Sequence, residues 1–196
     1  MRRASVVAIT SLLACQSAST LPPRPDSESG SVEWHSYGRD PGGSRYAPID
    51  DISRDNVAQL RVAWTYRTRE TDSAFPTRRE TSLEATPLVV DGTMYFATPL
   101  GRVIALDPAT GIERWVFDPG VDRRINFGDF TNRGVTTWLD PSAGPSAVCR
   151  RRIFVAVIDA RLIALDARTG RPCADFGANG TVNLRVGLRN PPFETA

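Results

Sequence analysis

The stretch Arg102-Val-Ile-Ala-Leu-Asp-Pro-Ala-Thr-Gly111 returns 59 residues later as Arg161-Leu-Ile-Ala-Leu-Asp-Ala-Arg-Thr-Gly170, with seven of the ten positions identical. A fixed period of this kind indicates that one supersecondary unit is used repeatedly. Each copy is a short apolar run followed by Asp-x-x-Thr-Gly, in which the Asp and Thr side chains can bond the backbone amides of a tight turn. The repeat therefore predicts a strand and a tight turn, twice.

Further apolar runs surround the first copy and predict three more strands. Glu84 to Val90 leads into an Asp91-Gly92 hairpin turn, whose glycine accepts a positive φ. Met94 to Thr98 follows the turn, and Arg114 to Phe117 comes after the repeat. Four short strands per unit are typical of one blade of a β-propeller, so the first blade is predicted at about residues 84–118.

The second unit predicts a blade at about residues 133–184. Its strands are expected at 133–138, 152–158 and 161–165, and its fourth strand is weaker because Arg171-Pro-Cys stands where the first copy has Trp115. Ahead of both blades, the sequence predicts a short helix from Ser53 as N-cap through Leu60, and then a strand from Arg61 to Tyr66. The predicted fold class is all-β.

The first 32 residues have the pattern of an export signal and a tether. Two arginines precede an apolar run from Ala4 to Ala14, which is too short to cross a bilayer as a stable helix. Leu12-Leu13-Ala14-Cys15 resembles the lipobox of bacterial lipoproteins, which predicts a signal peptide at 1–14 and a lipid on Cys15. A Ser- and Pro-rich tether over 15–32 would then hold the protein to a membrane in the periplasm. The alternative is an ordinary signal peptide cut nearby, with secretion to the periplasm.

Composition excludes several classes of function. All 24 basic residues are arginine and the single histidine is His35, so neither a Schiff-base lysine nor a His-rich zinc site can be built from this chain. The net charge of +2 comes from Arg2 and Arg3, which leaves 22 arginines against 22 acidic residues after Cys15. Nucleic-acid binding is therefore not expected, because it usually needs a basic excess.

Two cysteines remain once Cys15 is assigned to the lipid. Cys149 and Cys173 alone cannot hold a structural zinc ion, but an even number of cysteines in an oxidising compartment suits a disulfide. Cys173 also lies close to the position where the first unit carries its tryptophan. A Cys149–Cys173 disulfide and two buried free thiols are both compatible with the sequence.

Four motifs in order, from about Glu33 to the C-terminus, resemble those of the quinoprotein dehydrogenases. Ala105 to Trp115 resembles the tryptophan-docking repeat, whose indole packs between adjacent blades. Trp34 to Pro48 is similar to the opening motif of the branch that contains membrane glucose, quinate and polyol dehydrogenases. Leu83 to Val90 and Asn132 to Val135 resemble the first cofactor-side motifs of the family.

This resemblance implies an eight-bladed β-propeller that holds pyrroloquinoline quinone (PQQ) and Ca²⁺ or Mg²⁺ on its axis. Such enzymes oxidise an alcohol, polyol or sugar by hydride transfer and pass electrons to a membrane quinone or a cytochrome. The chain of 196 residues is expected to form the N-terminal sector, about two blades plus an opening segment, and to be inactive alone. The aspartate base and the metal ligands are expected downstream, so no catalytic residue and no metal ligand is assigned here.

Glu84 and Arg133 correspond to the acidic and basic contacts of the family to the quinone. Independently, both lie at the start of the innermost strand of a predicted blade, and such positions ring one mouth of a propeller channel. An arginine there can bind a cofactor carboxylate in bidentate fashion. The alternative is that Glu84 and Arg133 only pair with each other. Asp129 stands where the glucose branch usually has a histidine, and is either a further cofactor-site residue or a turn residue.

A non-enzymatic alternative remains open at this level. Outer-membrane assembly lipoproteins use the same repeats in an eight-bladed propeller that acts as a docking scaffold, and they also begin with a lipobox. Such a scaffold would not need Glu84, Asn132-Arg133-Gly134 or the Trp34 to Pro48 motif. The vicinal cysteine pair of methanol dehydrogenases is absent from this sequence, which disfavours that branch.

Overall fold

A computed structural model describes residues 32–49, 51–70, 81–125 and 127–189. The predicted signal peptide, Cys15 and all of the tether except its last residue lie outside these ranges. Within them the chain forms ten strands and one short 3-10 helix, Val57–Gln59. The strands are β1 (Thr81–Leu83), β2 (Leu88–Val90), β3 (Thr93–Ala97), β4 (Val103–Leu106), β5 (Glu113–Phe117), β6 (Phe130–Asn132), β7 (Thr136–Leu139), β8 (Arg151–Val157), β9 (Arg161–Asp166) and β10 (Thr181–Asn183).

Eight of these strands form two antiparallel four-stranded sheets. The first sheet has the order β2-β3-β4-β5 and the second the order β7-β8-β9-β10, so each is a meander of neighbouring strands. This is the form of a propeller blade, and both sheets lie within the ranges expected from the repeat. We call them blade one and blade two. The fold is all-β, as expected, and its two blades are a sector of a propeller. In the described part of the chain, no helix has the length and apolarity needed to span a membrane.

The main hydrophobic core lies between the two blades. Alternate residues of β4, such as Val103 and Ala105, pack in one cluster with Ile153, Val155 and Ile163 of blade two, and all of these are at most 1% exposed. The opposite face of blade one packs under a second cluster, in which Trp64 and Tyr66 cover Phe96, Ile104 and Leu106. Because both of its faces are covered, β4 is a continuous apolar run rather than an alternating one.

A tryptophan from an earlier segment of the chain packs on each of the two Asp-x-x-Thr-Gly turns. The Trp115 indole N–H donates to the Ala167 carbonyl over 2.9 Å, and a Cβ added to Gly170 would lie 2.6 Å from the Trp115 ring. The same arrangement joins Trp64 to the first turn. Its indole N–H donates to the Pro108 carbonyl over 3.1 Å, and a Cβ on Gly111 would lie 2.5 Å from its ring. Trp64 therefore docks on blade one as Trp115 docks on blade two.

Two predictions ahead of the blades were wrong. Instead of a helix from Ser53 through Leu60, the chain forms only the 3-10 turn Val57–Gln59, which follows Asn56 and buries no residue. A helix of this length is marginal without an apolar face to pack. The segment from Arg61 to Tyr66 is not a strand, because no neighbouring strand among the described residues pairs with it. It lies on blade one through its aromatic side chains instead.

Candidate functional site

The parallel pairing of β1 with β6 brings Glu84 and Arg133 together. Leu83 is the register partner of Asn132, so the residues that follow, Glu84 and Arg133, leave the ladder side by side. One guanidinium nitrogen of Arg133 lies 3.3 Å from a carboxylate oxygen of Glu84. The sequence motifs predicted that these two residues would be neighbours. The parallel pair that makes them so was not predicted, since β1 and β6 are three-residue strands outside both blades.

This pair stands at an open surface. The side chain of Arg133 is 84% exposed and that of Glu84 is 37% exposed. An exposed ion pair contributes at most about 1 kcal/mol to stability, so the pair has little value as a structural cross-link. Among the described residues Glu84 is the only charged partner of Arg133, and most of the guanidinium donors face solvent. The arrangement can therefore accept an anion at little structural cost.

The backbone around Arg133 is held firmly although its side chain is exposed. The Asn132 side-chain oxygen accepts the N–H of Gly134 over 2.8 Å, and its amide group donates to the Ala156 carbonyl of β8 over 3.0 Å. Gly134 has a φ of 125°, and a Cβ there would lie 3.1 Å from the carbonyl oxygen of Thr86. Asn132 thus anchors the turn to blade two. An Asx residue two positions before a glycine is the sequence signal for such a turn, but its bond to Ala156 required the structure.

The third candidate, Asp129, lies at the other end of β6. It is exposed, and it makes no hydrogen bond or ion pair to any residue that the structure describes. Asp129 and Arg133 flank a three-residue extended strand, which separates their backbones by roughly 13 Å. The structure therefore brings Glu84 and Arg133 together and leaves Asp129 apart from them.

Cys149 and Cys173 form a disulfide with a Cα–Cα distance of 5.8 Å. Both residues are buried, against Ala164, Phe154 and Phe176 on the face of blade two that lies away from blade one. Asp175 lies close enough to the two sulfur atoms to complete a three-ligand group. Sulfur atoms joined in a disulfide offer no thiolate to a metal ion, so this cluster is a cross-link. Of the two possibilities that the sequence left open, the structure contains the disulfide.

Glu70 is a buried carboxyl group that the sequence analysis did not single out. Only 2% of the residue is exposed, beside the turn that joins β3 to β4. The Leu100 N–H reaches one carboxylate oxygen over 3.4 Å, and Arg102 lies 3.9 Å from the other. Burial raises the pKa of the Glu70 carboxyl above its ordinary value, and the bonds from Thr98 and Leu100 only partly offset this. No local pattern marks this residue, because its burial results from contacts with residues about 30 positions away.

Comparisons with known proteins show which family this chain matches. Residues 34–195 match the family model described as PQQ, glucose/ethanol/alcohol dehydrogenase, beta-propeller domain. The chain is 40% identical over 168 residues to quinoprotein glucose dehydrogenase A of Acinetobacter calcoaceticus, which covers 78% of this chain and 20% of that protein. It is 35% identical over 179 residues to a quinate/shikimate dehydrogenase (quinone) of Acinetobacter baylyi, covering 83% of this chain and 22% of that one.

A solved structure agrees with the sequence relatives. The quinohemoprotein alcohol dehydrogenase of Comamonas testosteroni superposes with a TM-score of 0.63 at 33% identity, over 82% of this chain and 20% of that chain. The chain thus spans about a fifth of the length of the curated relatives it matches.

Proposed function

Because the chain belongs to the family of PQQ-dependent glucose, ethanol and alcohol dehydrogenases with a β-propeller domain, we propose that the complete protein oxidises a small alcohol, polyol or sugar with PQQ as its redox cofactor. The observation that carries the proposal is the Glu84–Arg133 pair. It joins the segments that lead into the innermost strands of two adjacent blades, inside the region that matches the family.

The chemistry of this pair fits PQQ. The cofactor carries three carboxylates, and a guanidinium binds a carboxylate through two parallel charge-assisted hydrogen bonds. Arg133 has those donors exposed, and the turn that carries it is already anchored by Asn132 and Gly134. The backbone around Arg133 therefore loses little conformational freedom when PQQ binds, and this favours a high affinity for PQQ. Glu84, with 37% of its side chain exposed, can accept a hydrogen bond from a ring N–H.

When bound, PQQ with its metal ion supplies a quinone that accepts hydride from the substrate carbon. Within this chain, Arg133 would bind and orient a cofactor carboxylate, and Glu84 would hold Arg133 in place and accept a ring N–H. We assign the proton-accepting aspartate and the ligands of Ca²⁺ or Mg²⁺ to the remainder of an eight-bladed propeller. Neither Asp129 nor Glu70 is given a role in the chemistry.

The names of the relatives guide the proposal for substrate and electron acceptor. The relatives include enzymes named for glucose, for quinate and shikimate with a quinone, and for 1-butanol with cytochrome c. We therefore propose a small hydroxyl-bearing substrate and a quinone or cytochrome as electron acceptor.

The basic and apolar start of the chain and the Leu12 to Cys15 motif support a periplasmic protein that is anchored by lipid on Cys15.

The decisive experiment is a fluorescence titration of the complete protein with PQQ. Arg133→Ala should weaken binding by about 2–5 kcal/mol, because a cofactor carboxylate loses its charged partner. Glu84→Ala should cost less, roughly 1–3 kcal/mol, since it removes one acceptor. Arg124→Ala is the matched control, because Arg124 is 90% exposed and its one ion pair within the described ranges is with Asp122. If Arg133→Ala binds PQQ as the wild-type protein does, the proposed site is wrong.

A further inference from the structure

A second cleft lies between the two blades, at the end of the molecule opposite Glu84 and Arg133. Glu84 precedes β2 and the Asp91-Gly92 turn follows it, so Asp91 lies at the far end of that strand. Likewise Arg133 precedes β7, and the loop at 140–150 follows it. The cleft has a volume of about 330 Å³ and lies between this loop, the Asp91 turn and the Asp166 turn. It is therefore separate from the proposed quinone site.

The floor of the cleft is rigid. Both the Tyr95 hydroxyl and the Trp115 indole N–H donate to the carbonyl of Ala167, over 3.0 and 2.9 Å. The rim is also fixed, because the Cys149–Cys173 disulfide ends the 140–150 loop and the Cys149 N–H donates to Asp166 over 2.6 Å.

Four arginines line the cleft, and two of them are already neutralised. Arg151 of blade two makes a bidentate ion pair with Asp91 of blade one, and Arg114 pairs with Asp107 over 2.9 Å. The remaining carboxylate in the lining, Asp166, is occupied by the backbone N–H groups of its own turn and of Cys149.

The other two arginines, Arg150 and Arg168, contact no carboxylate in the described part of the chain. Arg150 donates its Nε to the Ala143 carbonyl over 3.1 Å, and its two terminal nitrogens make no hydrogen bond there. Arg168 donates one terminal nitrogen to the carbonyls of Ser146 and Ala147, over 3.0 and 3.2 Å. Both residues line the cleft and donate to carbonyls of the same loop, and among the described residues neither guanidinium has a carboxylate as counterion.

We propose that this cleft binds a small doubly charged oxyanion of the phosphate class. Guanidinium groups match phosphate oxygens well, because each offers several fixed donors, and Arg150 and Arg168 both line this cleft. The volume is at the lower end of the range for small-molecule sites, which admits inorganic phosphate and has room for a short phosphate ester. The binding is independent of the proposed dehydrogenase activity, since it uses no residue of the Glu84–Arg133 pair.

The test is a calorimetric titration of the complete protein with inorganic phosphate at pH 8, with chloride holding the ionic strength constant. Saturable one-to-one binding is expected, and Arg150→Gln and Arg168→Gln should each weaken it about tenfold. Arg124→Gln, which changes an exposed arginine outside the cleft, should leave it unchanged. Glycerol phosphate in a second titration distinguishes an ester from free phosphate as the better ligand.

A variant that adds a negative charge to the cleft and a PQQ titration test the proposal further. Ala147→Glu retains both arginines but places a carboxylate in the cleft, so it should abolish phosphate binding while thermal unfolding shows an intact fold. PQQ affinity should be unaffected by any of these variants, which separates this proposal from the quinone site. Absence of saturable binding, or an equal loss in Arg124→Gln, would overturn the proposal.

Discussion

Glu70 illustrates the cost of a carboxyl group placed beneath a turn. Its charged form loses hydration, and Arg102 at 3.9 Å is too distant to replace it fully. The folded state therefore raises the pKa of Glu70, the opposite of the usual effect on a paired carboxylate. A raised folded pKa means that the protonated form is favoured in the native state. Glu70 therefore contributes its full stabilisation at pH values below the pKa that it has in the unfolded chain. This contribution is lost as the pH rises through the higher pKa that Glu70 has in the folded protein.

Glu70→Gln should accordingly raise the free energy of unfolding at pH 7 to 8. Glutamine keeps an acceptor for the Leu100 N–H but carries no charge, and each unit of pKa difference corresponds to about 1.4 kcal/mol. The advantage over wild type should shrink as the pH falls toward the range in which free glutamate protonates. Urea unfolding at several pH values measures this, with Asp55→Asn at an exposed carboxyl as control. A constant difference at all pH values would contradict the burial argument.

At the scale of elements, each blade contacts the preceding segment of the chain through a tryptophan indole that packs on a turn glycine. Gly111 and Gly170 both adopt a φ of 70°, and each leaves no room for a Cβ under its tryptophan. The same contact recurs for Trp64, although that residue lies in a segment that is not a strand. The contact between a tryptophan and a turn is therefore repeated even where the tryptophan does not lie on a strand.

Gly170→Ala should destabilise the protein by roughly 2–4 kcal/mol. The substitution adds the strain of a left-handed backbone and pushes against the Trp115 ring, which lies 2.6 Å from the new Cβ. Gly120→Ala is the matched control, because Gly120 has a similar φ of 65° but nothing within 4 Å of an added Cβ. Chemical unfolding compares the two. If both variants lose the same stability, the packing of Trp115 contributes nothing beyond backbone strain.

The disulfide cross-links blade two just after the second repeat turn, where the chain has no counterpart of Trp115. Cys149 and Cys173 are 24 residues apart, and closing a loop of this size stabilises a fold by about 3 kcal/mol in the chain-entropy model. The Cys149→Ser, Cys173→Ser double variant should lose about that much in urea unfolding. Adding dithiothreitol should lower the stability of the wild type but not of the variant. An unfolding midpoint of the wild type that reductant does not move would contradict this.

For the whole molecule, the two blades differ in how much of them is covered. Blade one is enclosed by blade two on one face and by Trp64 and Tyr66 on the other. Among the residues that the structure describes, the outer face of blade two carries only the small cluster around the disulfide, and Trp138 is 46% exposed under the guanidinium of Arg152. In a propeller each blade is packed on both faces, so this surface is where a following blade would dock.

Membrane attachment is a property of the whole molecule that the first 15 residues predict. If Cys15 carries a lipid, Cys15→Ser should abolish incorporation of labelled palmitate and leave the protein released or unprocessed. The Cys149→Ser, Cys173→Ser double variant is the control and should incorporate label as the wild type does. Unchanged labelling in Cys15→Ser would show that the lipobox interpretation is wrong.

Local sequence determined what depends on neighbouring residues. The two copies of Asp-x-x-Thr-Gly placed the tight turns, since Asp107 and Asp166 bond the amides of their own turns. Apolar runs between those turns predicted strands, and the motifs around Glu84 and Arg133 predicted that they would be neighbours. The turns and strands could be predicted because turn chemistry and strand pattern act over fewer than ten residues, whereas the Glu84–Arg133 contact was expected from the geometry of a propeller mouth.

Only the tertiary structure decided what depends on distant contacts. Trp64 docks on a turn 44 residues away, and the segment from Arg61 to Tyr66 lies on blade one without forming a strand. The parallel pairing of β1 and β6, which sets Glu84 beside Arg133, joins segments 49 residues apart. The burial of Glu70 and the cleft between the blades likewise exist only where remote parts of the chain meet. Packing and register between distant segments have no local signature, so such features appear only when the chain has folded.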